Sequence, residues 1–261
     1  MNRPSCVRLA GPNETIREIL DRCHLRFEVL GVVEEDGEIR FSIAEDWDPT
    51  LVGVPDDVRA EVLPDVPDVT GLEGDVAVFV GDSICVRPPW VPEPDGFDGL
   101  TIVVPRGGAF GSGEHGSTQA ALLALEHDWR AFGRSLLDVG TGSGILAAYA
   151  VARGVERIAA CDVDEPSVRA AQELVPTAEI RHGEPNVFGG DRFDTVVANL
   201  AGRELVAAMP GILGAWNRVG PLVLSGMRLA EEPDVRALVD VDPRARFEVD
   251  GFVALAFRAS P

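Results

Sequence analysis

The run Leu136-Leu137-Asp138-Val139-Gly140-Thr141-Gly142-Ser143-Gly144 holds residue types suited to gripping a small polar ligand. An apolar stretch of strand character breaks into a G-x-G-x-G turn ahead of a helical segment. Glycine permits positive φ and lets a ligand approach the backbone, while free amides at a helix start favour an anionic or polar group. The following strand ends in Asp162, whose carboxylate can accept two hydrogen bonds from ribose hydroxyls. Gly140, Gly142 and Asp162 therefore predict a nucleoside pocket at the carboxyl ends of parallel strands. The nicotinamide fingerprint G-x-G-x-x-G needs glycine where Ile145 stands, which disfavours that cofactor. Asp138 suits a cationic ammonium group and is equally able to cap the loop's own amides. No Ser/His/Asp triad or metal cluster emerges. Cys6, Cys23, Cys85 and Cys161 are scattered without a C-x-x-C pair, so they read as reduced thiols.

Positioning these residues requires a parallel sheet covered by helices, and the rhythm from residue 101 onward supplies one. Strands are predicted over 101–104, 135–139, 157–161, 193–198, 222–225, 246–249 and 253–257. Helices are predicted over 119–129, 145–153, 166–175 and 204–216, with Pro166 in a first turn. Asp250-Gly251 is a hairpin turn, so one strand runs antiparallel to the rest. The first ninety residues differ: a helix over 14–23, strands over 26–33 and 39–43, and an acidic, proline-rich stretch over 46–74 with loop or edge-strand character. One or two strands fall in 76–86. Four prolines in residues 87–94 then predict an extended linker. The expected division is a small α+β domain over 1–90 and a larger α/β domain over 91–261.

The 261 residues carry a formal charge of −20, and all 23 basic residues are arginines. This field repels phosphate backbones, so nucleic acid is a poor partner, and it favours a cationic one. Genome composition or a saline cytoplasm explains the same bias equally well. No apolar run approaches the ~18 residues of a membrane span and no secretory core precedes residue 10, so a cytoplasmic location and no membrane association are expected.

Three blocks together resemble the ribosomal protein L11 methyltransferase family, within the class I methyltransferases that use S-adenosylmethionine (AdoMet). Ala109-Phe110-Gly111-Ser112-Gly113-Glu114-His115-Gly116-Ser117-Thr118 is similar to the family's A-F-G-T-G-x-H-x-T-T. The glycine loop with Asp162-Val163-Asp164, and Phe193-Asp194-Thr195-Val196-Val197-Ala198-Asn199-Leu200, are the others. The resemblance implies a Rossmann-like, mostly parallel class I sheet with one antiparallel strand. It also implies AdoMet as cofactor, held by Thr118, Gly140, Asp162 and Asn199 with Gly142 and Asp138 nearby. Thr118 also fits a helix N-cap, and Asn199 a strand-end turn residue. The catalytic candidates are Asn199, whose carbonyl would orient an amine lone pair, and His115, either a base or a loop-fixing residue. The implied acceptor is an amino group, on a lysine or an amino terminus, of ribosomal protein L11 or a similar basic protein. A small cationic or peptide acceptor and an AdoMet-binding module without turnover are the alternatives. The chain departs from the family at Ser117, at the added carboxylate Glu114, and in a shortened, divergent amino-terminal region.

Overall fold

A computed structural model describes residues 5–24, 26–27, 29–35, 37–43, 47–55, 57–63, 76–105 and 111–259. The chain divides into two compact units, residues 1–75 with 106–108, and residues 76–105 with 109–261.

In the first unit, β1 (Ser5–Ala10), β2 (Val29–Glu35), β3 (Glu38–Ile43) and β4 (Arg59–Leu63) form an antiparallel sheet in the order β2-β3-β1-β4. Strand alternation turns Val7 and Leu9, with Ile39, Phe41 and Ile43, toward one face. There α1 (Asn13–His24) lays down Ile16, Ile19, Leu20 and Cys23, one stripe at helical spacing. Trp47, against Phe27 and Phe41, and the buried Val52 and Val58 complete this core. The other face carries charge: Arg8 pairs with Glu38 and Glu61, and Arg40 with Glu38. One strand here, β1, escapes the sequence reading. β4 is an edge strand inside the acidic stretch read as loop or edge strand, whose residues 64–74 fall outside the described part.

The second unit opens with β5 (Val78–Val80), β6 (Ile84–Arg87) and β7 (Leu100–Val103), where β6 pairs antiparallel with β5 and parallel with β7. The proline run between β6 and β7 is not an extended linker. It folds back as a packed loop: an Arg87 guanidinium nitrogen donates to the Val91 carbonyl at 2.7 Å, the Thr101 hydroxyl donates to Glu93 at 2.8 Å, and Phe97 sets its edge against Phe79. Hence the structural division falls at Asp75, ahead of the expected position 90.

The main sheet has seven strands in the order β10-β9-β8-β11-β12-β14-β13. Its members are β8 (Ser135–Val139), β9 (Arg157–Asp162), β10 (Glu179–His182), β11 (Thr195–Asn199), β12 (Leu222–Arg228), β13 (Pro243–Val249) and β14 (Phe252–Phe257). All are parallel except β14, which runs antiparallel to both neighbours. Asp250 and Gly251, both at positive φ (51° and 74°), make the hairpin before it. α2 (Gly116–Asp128), α3 (Ile145–Ala152) and α4 (Glu165–Leu174) cover one face of this Rossmann-like sheet, and α5 (Gly202–Ala215) and α6 (Glu232–Arg236) the other. Adjacent residues along β8 and β11 feed opposite cores: Leu136 and Val197 point to the α2–α4 side, Leu137 and Val196 to the α5 side. Burial on both faces is what made these strands read as continuous apolar runs.

Candidate functional site

At the end of β8 the chain turns through Gly140, Gly142 and Gly144 at φ 70°, 54° and 88°, a sequence of left-handed conformations only glycine adopts cheaply. A Cβ on Gly140 would also stand 2.2 Å from Leu200 Cδ2, so the turn lies close beneath the loop after β11. The amides of Gly140 and Thr141 donate to the Cys161 carbonyl on β9, which fixes the loop's height above the sheet.

Asp162, last residue of β9, is already held by the backbone. Gly142 donates to its Oδ2 and Asp164 to its Oδ1, each at 2.9 Å. Two amide contacts fix the carboxylate plane and leave further lone pairs for a ligand. Asp164 then caps α4, accepting from the Ser167 amide and hydroxyl. Asp138 is fully buried beneath the loop, where its Oδ2 accepts the Thr141 hydroxyl at 2.7 Å and its Oδ1 makes no hydrogen bond of normal geometry. Burial pushes its carboxyl up to about 7, opposed by the Thr141 hydroxyl and the Ala147 amide and reinforced by the Asp162 charge.

A second group of residues meets at the end of β11. Asn199 Nδ2 donates to Thr118 Oγ1 at 3.4 Å, bringing together side chains 81 positions apart. Asn199 Oδ1 is buried with no partner, an acceptor held ready for a donor. Thr118 is not an N-cap: His115 caps α2, and Thr118 lies in the first turn, fully buried. His115 Nδ1 accepts from the Ser117 amide at 3.3 Å and sits 2.8 Å from its hydroxyl. The His115 ring rests against Phe252 at 4.4 Å, and the Arg228 guanidinium covers Phe252 at 3.6 Å. Loss of water around His115 and the nearby Arg228 charge lower its pKa, against the pull of Asp250. The Ser143 hydroxyl donates to the Gly111 carbonyl, and the Ser225 hydroxyl to the Ser117 carbonyl, so the residues from 111 onward are tied to both the glycine loop and β12. Residues 109 and 110 of that block lie outside the described part.

Gly140, Gly142, Asp162 and Asn199 line one cavity of about 600 Å³ at the carboxyl edge of the sheet. Thr118 reaches it through Asn199, Asp138 supports its loop from below, and His115 stands at the start of α2. The sequence reading missed Gly183, Glu184 and Pro185 after β10, and Leu200 and Glu204 around the start of α5, all of which line it. Cavity walls in such sheets come from strand-end turns, and Gly183-Glu184-Pro185 is one, but the strand before it carries no local signal that would have marked it as such. Among the described residues no group of three His, Cys, Asp or Glu side chains could hold a metal ion, and no helix is long and apolar enough to cross a membrane. Cys23, Cys85 and Cys161 are free and buried.

A family model described as ribosomal protein L11 methyltransferase (PrmA) matches residues 77–250. The chain belongs to that family. Ribosomal protein L11 methyltransferases of Thiobacillus denitrificans and Burkholderia multivorans are similar to it at 35% identity over 161 residues and 33% over 181, covering 61% and 68% of this chain. These matches take in 54% and 60% of the relatives' own length, so the chain spans little more than half of each. The crystal structure of a ribosomal protein L11 methylase from Lactobacillus delbrueckii subsp. bulgaricus superimposes with a TM-score of 0.63 at 26% identity, over 70% of this chain and 99% of that one. The PrmA match takes in most of the second unit and, with it, every residue that lines the cavity.

Proposed function

We propose that this protein is an AdoMet-dependent methyltransferase acting on amino groups, on lysine or an amino terminus, of ribosomal protein L11 or a similar basic protein. The observation that carries the reading is the buried, unpartnered Asn199 Oδ1 in the same cavity as the Gly140–Gly142 turn and Asp162. The residues fit the cofactor: Gly140 has no room for a side chain, Gly142 and Asp162 bring an amide-held carboxylate for ribose hydroxyls, and Asp138 braces the loop from below through the Thr141 hydroxyl. When bound, AdoMet supplies an activated methyl group on a sulfonium, so placement of the acceptor accounts for much of the catalysis.

In this reading Thr118 turns the Asn199 amide so that Oδ1 accepts an N–H of the acceptor, which aims the nitrogen lone pair into the cavity. The acceptor must arrive neutral, and no side chain needs to form a covalent bond. The first unit serves recognition: residues 1–75 hold eighteen acidic residues against seven arginines, a field that gathers a basic protein. The test is incubation with labelled AdoMet and either purified L11 or a cell lysate. Label on L11 amino groups is expected; label on a small metabolite with none on L11 overturns the substrate, and absence of AdoMet binding by calorimetry overturns the function.

A further inference from the structure

We propose that His115 serves as the amino-terminal cap of α2 with its proton on Nε2, and so positions Thr118 and Asn199 instead of taking a proton from the methyl acceptor. This deepens the methyltransferase reading and rests on it for the word acceptor.

The geometry around Nδ1 carries the argument. Two groups of Ser117 face that nitrogen, the hydroxyl at 2.8 Å and the backbone amide at 3.3 Å. A hydroxyl rotates to donate or accept, so it fits either tautomer. The amide only donates, and the first turn of α2 fixes its direction. The nitrogen facing it must present a lone pair, which leaves the ring proton on Nε2. A general base acting through Nε2 would need the proton on Nδ1, aimed donor to donor at the Ser117 amide.

The cap matters because of what the first turn holds. Thr118 donates its amide to the His115 carbonyl at 3.0 Å, and its hydroxyl accepts from Asn199 Nδ2. The Ser117 carbonyl is fastened to β12 by Ser225 at 2.9 Å. A line of contacts thus runs from the imidazole through Ser117 and Thr118 to Asn199, and ends on the unpartnered Oδ1. An imidazolium cannot accept a hydrogen bond, so protonation breaks the line at its origin. Among the described groups facing the ring are Arg228 at the end of β12, Asp250 in the hairpin turn and the Phe252 ring of β14, with Glu114 next to it in sequence. Loss of water around the ring, with the Arg228 charge second and Asp250 opposing, lowers its pKa and so favours the neutral ring that the cap requires.

The test uses the full chain with ¹⁵N-labelled histidine, and His115→Asn identifies the His115 signals among the four histidines. At neutral pH the unprotonated nitrogen is expected at Nδ1 and the protonated one at Nε2, a readout independent of turnover. Asparagine caps helices and does not titrate, so H115N is expected to lose about twofold in methyl transfer and H115A about tenfold. The acid limb of the rate profile that belongs to the imidazole is expected to vanish in H115N. A proton on Nδ1 overturns the proposal, and so do equal losses in H115N and H115A, whether small or the hundredfold or more expected on removing a general base. If no substrate is methylated, the tautomer still decides the cap separately from the function.

Discussion

Every buried polar side chain among the described residues, from Ser117 and Thr118 through Asp138, Thr141 and Ser143 to Ser225, belongs to the second unit. In the first unit the described core is built of apolar side chains, and Arg8, Arg40, Glu38 and Glu61 form ion pairs on the other face of its sheet. Burying a polar group costs free energy unless its partners are placed well. A fold accepts that cost where geometry has to be unique, which in this chain is chiefly the carboxyl edge of one sheet, with Thr195 at the other end of β11 donating to the Phe132 carbonyl. The first unit meets a looser requirement, a stable platform with an acidic exterior. The PrmA match, confined to residues 77–250, follows the same line.

The sharpest way to break this comparison is to remove one side of it. Deleting residues 1–75 is expected to lower methyl transfer to L11 by about a hundredfold or more while leaving AdoMet binding within about threefold, because acceptor placement is lost and the cavity is kept. Equal loss of both activities, measured by calorimetry and labelled transfer, would erase the division. Next in size is Asp162→Ala, expected to weaken AdoMet binding about 10- to 100-fold, since hydrogen bonds to a charged acceptor contribute about 1.5–3 kcal/mol. Unchanged affinity would move the cofactor elsewhere.

A third expectation concerns pH. Asp138 has a folded pKa of about 7, above the ~3.9 of an unfolded aspartate, so the native state binds this proton more tightly than the unfolded chain. Its contribution to stability is present below pH ~4 and is lost as pH rises through about 7. Asp138→Asn should flatten the stability of the ligand-free protein over that window, read as urea midpoints at pH 5 and pH 8. An identical slope in wild type and variant would mean that the burial of Asp138 is not felt as charge. The smallest effect belongs to the first unit's surface. Arg8→Ala removes partly buried ion pairs to Glu38 and Glu61 and is expected to cost about 1 kcal/mol, the upper end for surface pairs, and a larger loss in thermal denaturation would make that face part of the fold's foundation.

Much of the second unit was legible because its signals agree at several scales. Around Gly140 an apolar strand, a turn only glycine allows and an apolar helix follow one another within a dozen residues, and the observed β8 and α3 match that reading closely. The Asp250-Gly251 hairpin announced the single antiparallel strand. What failed to show depends on partners far away in sequence. β10 has four residues, only one of them fully buried, so nothing local marks it. The proline run reads as a spacer until Arg87, Phe97 and Thr101 are seen to fasten it to its own sheet. Thr118 looked like a cap because His115 is an unusual one, and only coordinates reveal where an imidazole nitrogen points. The orphaned Asn199 Oδ1 is invisible in sequence, since an absent partner leaves no residue to read.

The start of α2 also has a history in the order of synthesis. Its anchors, Ser225 on β12 and Val249 in the strand packed against Gly116, are made more than a hundred residues after Ser117. Chains are made and folded from the amino end. A nascent chain can form the glycine loop and its helix early, whereas the groups that tie the start of α2 to β12 and to the end of β13 come late. The start of α2 is therefore framed by the part of the chain made last, and the final thirty-odd residues steady the turn from which Thr118 meets Asn199.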